Sequence, residues 1–363
     1  MHILLLADAN SIHTQKWAIY LSNNAVKVSI FSLQAPKNDL FNNTNIKVFS
    51  PNKDIHKKIL YPLALPLLKK ITSQIKPDIV HAHYASSYGL LGALLHFRPF
   101  IISVWGSDVF EFPKLNLINK LILKYNLKNA DLITSTSVIM AQETQIYTDK
   151  SIKVIPFGVD TNIFHPLYTK KIFSSDEIII GTIKTLEPKY GIHILIKAFQ
   201  LVLKKLPNFN LKLLIVGDGS QRKELEQLSQ ELNIADKVIF YGKIKNSEVP
   251  QMLSEIDLFV ALSVEDSESF GVAVVEAMAC EKPVVVSDAG GLKEVVVNHK
   301  TGIIVEKNNP EAAANAIIDL ILNKEKAHLM GREGRLHVLK YYDFKENVQE
   351  MINTYKQVLS SYK

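Results

Sequence analysis

The residues of this chain most able to do chemistry gather between Ser263 and Gly291, in S-V-E-D-S-E-S-F-G-V-A-V-V-E-A-M-A-C-E-K-P-V-V-V-S-D-A-G-G. Glu268 and Glu276 stand there with seven residues between them and Gly271 inside the interval. The pattern predicts a polar loop around Glu268, a break at Phe270-Gly271, a helix from Val272 to Ala279, a strand from Pro283 to Val286 and a Gly290-Gly291 turn. A helix starting after Gly271 aims its unpaired N–H groups and positive dipole end over that glycine, a position suited to a diphosphate. Gly271 lets such a ligand approach the backbone closely. Glu276 lies about one turn into an otherwise apolar segment, where a buried carboxylate needs a partner. Paired ribose hydroxyls would serve, because an ionised carboxylate accepts from two donors at once. A lysine or a backbone amide inside the protein would serve as well.

Other chemically able groups follow strand-like runs. Lys184 and Lys189, in Gly181-Thr-Ile-Lys184-Thr-Leu-Glu-Pro-Lys189-Tyr-Gly191, could neutralise a phosphate or stand as solvated surface lysines. His13 follows the first strand with Thr14 and Gln15, either toward a ligand or exposed beside a cap at Asn10 or Ser11. His81 and His83 alternate on one face of a strand, with Ala82 on the other. A paired-histidine metal site lacks a third ligand at a suitable spacing. Asp108 closes Trp105-Gly-Ser-Asp108 after another strand. Asp160 reads as a turn residue beside Gly158.

Positioning these groups requires strands alternating with helices. The first half reads so from His2-Ala7 to Leu132-Thr134, and a second run begins at Ile178-Gly181 and leads to Leu258-Ala261 and the opening stretch. Continuous apolar strands separated by helices predict parallel sheets covered on both faces, with ligands beyond the carboxyl ends of the strands. The fold class is therefore α/β, and 363 residues predict two domains. The expected division is 1–165, a linker from His165 to Asp176, and 176–343, followed by a terminal helical segment, 344–363. Neither the turn after the first strand nor Gly217-Asp-Gly219 completes a G-x-G-x-x-G fingerprint.

Composition narrows the class further. With 47% hydrophobic and 21% charged residues the chain is an ordinary globular one. Its one cysteine, Cys280, excludes an internal disulfide, reads as core, and points to a reducing, cytoplasmic compartment. The N-terminal run M-H-I-L-L-L-A-D-A-N reads as a buried strand rather than a signal peptide, and no apolar run reaches transmembrane length. Residues 1–165 hold seventeen basic against ten acidic residues, so the whole basic excess belongs to the first half. That asymmetry predicts an anionic partner, either a phosphorylated acceptor or the inner face of a membrane met peripherally. Lys57-Lys58 and Lys69-Lys70 bracket apolar Ile59-Leu68, which reads as a membrane-docking stretch or as a buried helix with solvated flanks. No zinc-finger spacing, RNP-like motif or dense arginine stripe points to nucleic acid.

The stretch S-x-x-x-x-E-S-F-G-x-x-x-x-E-A-M-A-C-x-K-P-V-V resembles the E-x7-E signature of retaining glycosyltransferases, family 4 in particular. Gly181 to Gly191 resembles that family's G-R-L-x-x-x-K-G loop, with Lys184 at the arginine position. Trp105 to Asp108 resembles its H-G-x-D loop, with Trp105 at the histidine position. "A-D-x-I-x-x-S" at Asp131 to Ser137 and "I-P-x-G-V-D-x-x-x-F" at Ile155 to Phe164 resemble further family segments.

The resemblance implies a GT-B architecture, two Rossmann-like domains with parallel sheets facing across a cleft, in which 1–165 binds the acceptor, 176–343 binds a nucleotide-sugar donor, and 344–363 packs back on the first domain. It implies Glu268 beside the transferred sugar, Glu276 on the ribose, amides of Phe270, Gly271 and Val272 on the diphosphate, and Lys184 and Lys189 neutralising it. Base recognition falls to backbone near Gly242 and Ile244, and sugar or acceptor contacts to His13, His83 and Asp108. The expected activity is metal-independent hexosyl transfer, with retention, from a nucleoside-diphosphate sugar to a glycan or lipid-linked acceptor. Synthesis of a bacterial surface polysaccharide is the expected role. No cofactor is expected, and the chain lacks the D-x-D that would hold a metal on the diphosphate. A hydrolysing sugar-nucleotide epimerase, or a non-catalytic nucleotide-sugar-binding scaffold, is the alternative.

Overall fold

The computed structural model describes every residue except 38, 52–60, 62, 167–172, 175 and 363. Two compact units form: Met1–Pro156 together with the segment from Lys345 on, and Phe157–Phe344.

The first unit is built on seven strands, β1 (His2–Leu6), β2 (Lys27–Phe31), β3 (Lys47–Phe49), β4 (Ile79–His83), β5 (Phe100–Val104), β6 (Leu132–Ser135) and β7 (Ile152–Val154). They pair in the order β3-β2-β1-β4-β5-β6-β7, every pair parallel. β1, β4 and β5 are buried along their whole length, as apolar strands covered on both faces must be. Leu4, Leu6, Val80, Ala82, Phe100 and Ile102 form the centre of one core, closed by Leu91, Leu123 and Leu127 from helices. Each of the Leu, Val, Ile and Phe side chains among them contributes about 1.5–3 kcal/mol on full burial. The strand order reverses between β1 and β4, whose register runs from Ile3 opposite Ile79 to Leu6 opposite Ala82. A crevice therefore opens past Leu6 and His83.

The helix Phe344–Ser360 carries the chain into this unit, burying Val348, Met351, Ile352 and Tyr355. Glu350 pairs with Lys153 of β7 at 2.5 Å, and Tyr355 Oη is hydrogen-bonded to His81 Nδ1 at 2.7 Å.

The second unit holds six strands, β8 (Ile178–Ile183), β9 (Leu211–Val216), β10 (Val238–Gly242), β11 (Leu258–Ala261), β12 (Val284–Ser287) and β13 (Ile303–Val305). The order is β10-β9-β8-β11-β12-β13, again parallel throughout. Its switch point lies between β8 and β11, where Ile180 pairs with Leu258 and Gly181 with Phe259. The two segments beyond that point begin at Lys184 and Leu262 and carry the residues singled out in sequence.

The boundary between units falls at Phe157, ahead of the expected residue 165. Val159 explains the difference: its N–H donates to Tyr342 O at 2.8 Å and its carbonyl accepts from Phe344 N at 2.9 Å, tying this strip to the second unit. Asp160 accepts from Asn162 N at 3.0 Å, a turn-stabilising contact. Most of the expected linker, 167–172 and 175, lies outside the described residues, as do Lys57, Lys58, Ile59 and Leu60. Lys69 and Lys70 are exposed on the helix Leu65–Ile75, which buries Leu68, Ile71 and Thr72. Among the described residues no helix is long and apolar enough to cross a membrane.

Candidate active site

In the second unit, Lys184 leaves the carboxyl end of β8 and Glu268 sits in the loop after β11. Lys184 Nζ donates to Glu268 Oε2 at 2.6 Å, and Ser263 Oγ donates to the same oxygen at 3.3 Å. Glu268 is 9% exposed, so this ion pair stands in a partly dehydrated place. Tyr190 underlies both lysines of the 181–191 segment: Lys184 Nζ is 4.1 Å and Lys189 Nζ 5.4 Å from its ring centroid. The loop bearing Lys189 is held to the loop bearing Glu268 by Val264 N donating to Lys189 O at 2.9 Å. Lys184, Tyr190, Ser263, Glu268, Gly271 and Leu292 line one small pocket.

The helix Val272–Ala279 begins at Gly271, whose φ of +85° is open to glycine but strained for other residues. Apolar on nearly every side, this helix buries Val274, Val275, Ala277, Met278 and Ala279. Glu276 lies in its second turn, half-buried. Cys280 follows it in the core, where burial pushes the thiol up to about 12. The Glu268 loop is locked from the other side by Gly290 and Gly291. Gly291 N donates to Glu268 O at 2.7 Å, and Gly290 N donates to Asp266 Oδ1 at 3.0 Å. That amide, with Lys307 at 2.9 Å from the same oxygen, holds the Asp266 carboxyl below its usual range. Gly242, expected near a base, ends edge strand β10, two strands from β8, and its carbonyl accepts from Gly217 N at 2.9 Å.

In the first unit, the crevice past β1, β4 and β5 is walled by rings. Trp105 is the hub, 4.2 Å from His83, 5.3 Å from Tyr84 and 6.0 Å from His13 between ring centroids. Burial lowers the His13 imidazole to about 4, with Lys16 adding to the effect. Burial also holds His83 well below 6.5, with smaller contributions from His81 and His13. These rings are therefore neutral near pH 7 and act as hydrogen-bonding groups rather than charges. Among the described residues His83 Nδ1 is buried without a hydrogen-bond partner.

His81, the other member of the pair, has both ring nitrogens engaged: Nδ1 by Tyr355 Oη and Nε2 by Ser103 Oγ, each at 2.7 Å. Ser103 continues to Thr134 at 2.6 Å. This relay buttresses β4, β5 and β6 from within. Asp108 is likewise engaged inward. Its oxygens accept from Ala85 N at 2.7 Å, Gly106 N at 2.8 Å and Trp105 N at 3.1 Å. It thus clamps the loops that carry Tyr84 and Trp105. Burial raises the Asp108 carboxyl, and those amides counter the rise.

Of the residues expected to act together, Lys184, Lys189, Glu268 and the Gly271 helix start gather in one unit, while in the other His13 and His83 meet around Trp105 and Asp108 is turned inward to backbone amides. Tyr190 and Tyr84 had no separate signal in the sequence beyond adjacency to Lys189 and His83. Ser103, Thr134 and Tyr355 had none, because their contacts join distant strands and a helix.

Comparison with known proteins identifies the family and the fold. The family model "Glycosyl transferases group 1" matches residues 167–337, and "Glycosyl transferase 4-like" matches residues 2–137. An uncharacterized glycosyltransferase of Methanocaldococcus jannaschii is 31% identical over 261 residues, 71% of this chain and 69% of that protein. N-acetyl-alpha-D-glucosaminyl L-malate synthase of Bacillus anthracis is 27% identical over 312 residues, 82% of this chain and 80% of that one. Anabaena HepE, solved in complex with UDP, superposes with a TM-score of 0.81 at 22% identity, over 98% of this chain and 100% of that chain. Two parallel-sheet α/β units with such neighbours are the GT-B fold. The chain belongs to the group 1 glycosyltransferases of family 4, and it is a glycosyltransferase.

Proposed function

We propose that this enzyme transfers a hexosyl group from a nucleoside-diphosphate sugar to a glycan or lipid-linked acceptor, with retention and without a metal. The observation that carries the reading is the Lys184–Glu268 ion pair beside the Gly271 helix start, at the switch point of the second unit's sheet. A diphosphate laid over Gly271 meets backbone N–H groups, the helix dipole and two lysine ammonium groups, charge enough to stabilise its departure. Glu276 accepts from the ribose hydroxyls, and backbone at Gly242 and Ile244 meets the base.

In the reaction the bond from the anomeric carbon to the phosphate oxygen breaks and the diphosphate leaves with the electron pair. The acceptor oxygen bonds to that carbon on the same face, and its proton passes to the departing phosphate oxygen. Glu268 steadies the oxocarbenium-like sugar. Lys184, released from Glu268 to the diphosphate, offsets the developing negative charge. His13 and the unpartnered His83 Nδ1 meet sugar or acceptor hydroxyls, while Asp108 acts through the Trp105 loop. The basic excess of the first half suits a phosphorylated lipid carrier, which supports a place in surface-polysaccharide assembly such as O-antigen or capsule.

The test is a thermal-shift panel of UDP, GDP, ADP and dTDP with chelator present, on wild type and Glu276→Ala, followed by an assay of nucleotide release from the matching sugars. UDP is the first choice, since HepE was solved with it. One nucleotide should stabilise wild type and not the variant, and its sugar should be turned over. Stabilisation without release in the presence of glycan or lipid-phosphate acceptors would leave a binding scaffold.

A further inference from the structure

The Lys184 ammonium is held from two sides. Its Nζ donates to Glu268 Oε2 at 2.6 Å and stands 4.1 Å from the centroid of the Tyr190 ring. Tyr190 lines the same small pocket as Lys184, Glu268 and Gly271. Lys189, its neighbour in the chain, lies farther from the ring, at 5.4 Å. Backbone contacts fix the place of that ring. Tyr190 ends the short helical turn Pro188–Tyr190, whose proline presets the backbone. Gly191 follows at φ +62°, and an added Cβ there would stand 1.9 Å from Leu262 O, so the turn is packed backbone to backbone against the end of β11. On the other side, Lys184 N donates to Val216 O at 2.9 Å. The side chains of Lys184 and Tyr190 thus leave rigid supports and meet in the pocket.

We propose that Tyr190 is a positioning residue for the transfer, its π face guiding the Lys184 ammonium from Glu268 to the departing diphosphate. The inference rests on the transfer reading above, in which Lys184 changes partner. With Glu268 9% exposed, little water is at hand to replace what the ammonium loses on leaving the carboxylate. A ring face replaces it, because the attraction of a π system is spread over the ring and asks for no single acceptor atom. The ammonium can therefore move across the ring without passing through an unpaired state. Lysine needs such a guide more than arginine does: its charge is a point at the end of a flexible stem, without the rigid fork that fixes a guanidinium on a diphosphate. The ring rather than the phenol hydroxyl carries this role, so phenylalanine should serve in its place.

The experiment measures steady-state nucleotide release by the full chain, from UDP-glucose first and then from the sugars of the other panel nucleotides. Wild type is compared with Tyr190→Phe, Tyr190→Leu, and chains carrying monofluoro-, difluoro- or trifluorophenylalanine at position 190, each also made with Lys184→Ala. Tyr190→Phe should keep kcat within about twofold, and Tyr190→Leu should lower it about 3- to 30-fold while the donor KM changes less. Fluorine withdraws charge from the ring face and hardly changes its size, so kcat should fall stepwise along the series. With Lys184→Ala in place the same changes at position 190 should have no further effect. A Tyr190→Leu enzyme as fast as wild type would overturn the proposal. So would a flat fluorine series, because the ring would then only fill space, and so would Tyr190→Phe falling as far as Tyr190→Leu, because the hydroxyl would then carry the role. Should Tyr190→Leu fail to fold, the fluorine series decides alone. Independently of turnover, the Lys184 Cε signal in lysine-labelled protein should show a ring-current shift that Tyr190→Leu removes, and a shift that persists would overturn the contact itself. Wild type that turns over no sugar donor would sink the transfer reading and the guiding role with it, whereas turnover with a flat fluorine series would sink this inference alone.

Discussion

Lys184 Nζ and Glu268 Oε2 meet at 2.6 Å although eighty-four positions of chain separate them, and the sheet's switch point is what brings them together. In this structure each charge satisfies the other; in the proposed reaction each turns to a different part of the donor. Glu268→Gln keeps the shape and removes the charge. Turnover should fall by about a hundredfold or more, in line with the loss of one group that stabilises a charged transition state, while nucleotide affinity stays close to wild type. Steady-state kinetics beside calorimetric titration with the nucleotide checks this. Affinity falling in step with turnover would move Glu268 to nucleotide binding.

Glu276→Ala should act in the opposite sense. Hydrogen bonds to a charged group contribute about 1.5–3 kcal/mol, so nucleotide affinity should fall about 10- to 100-fold. Direct titration of the variant decides it, and unchanged affinity would contradict the ribose assignment.

Gly290→Ala tests the lock behind Glu268. At φ +43° an added Cβ would stand 2.2 Å from Glu268 O and 2.7 Å from Asp266 O. The loop must move, so urea unfolding should show a loss of about 1–3 kcal/mol and turnover should drop with it. Unaltered kinetics in a destabilised variant would show that Glu268 tolerates the shift.

Asp108 should prove to be a positioning residue. Asp108→Ala leaves three inward amides, those of Ala85, Trp105 and Gly106, without their acceptor, and stability should fall by about 3 kcal/mol or more. Asp108→Asn keeps one acceptor oxygen and should lose less. A fully stable alanine variant whose only defect is a raised acceptor KM would instead put the carboxylate on the acceptor.

The buried histidines give the fold a pH dependence. Burial lowers His13 to about 4 and His81 to about 3, against 6.5. Below pH 6.5 the unfolded chain takes up protons that the folded chain refuses, so stability present above that pH is lost on acidification toward 3–4. Thermal unfolding from pH 7 to pH 4 should show the decline, and His81→Gln should flatten its slope. An unchanged slope would mean that His81 is not part of it.

Legibility in the sequence followed locality. The helix start at Gly271 could be read because a glycine, an apolar run and a following strand lie within twenty-nine residues. The parallel sheets could be read from unbroken apolar strands between helices. Lys184 was visible as a charge, but its partner was not, since strand order decides what a loop faces. The same holds for Asp108, whose carboxylate looked available and is consumed by amides, and for Trp105, which gathers three rings, two from the end of β4 and the residue after it and one from a helix start. The unit boundary was misplaced because Val159 bonds to Tyr342 and Phe344 through its backbone, leaving no mark on side-chain pattern.

The pairing of Tyr355 with His81 has a consequence for the order in which this protein can be made. During synthesis, residues 1–156 emerge long before the helix that starts at Phe344. Until that helix arrives, Val348, Met351, Ile352 and Tyr355 are missing from the first unit, and the His81 nitrogen that Tyr355 will meet must stay hydrated. The second unit, by contrast, is contiguous in the chain and has all its strands once Val305 has been added. The unit translated first is therefore the unit completed last, and a ribosome that stops just after Phe344 releases a second unit with all its residues attached to an unfinished first one.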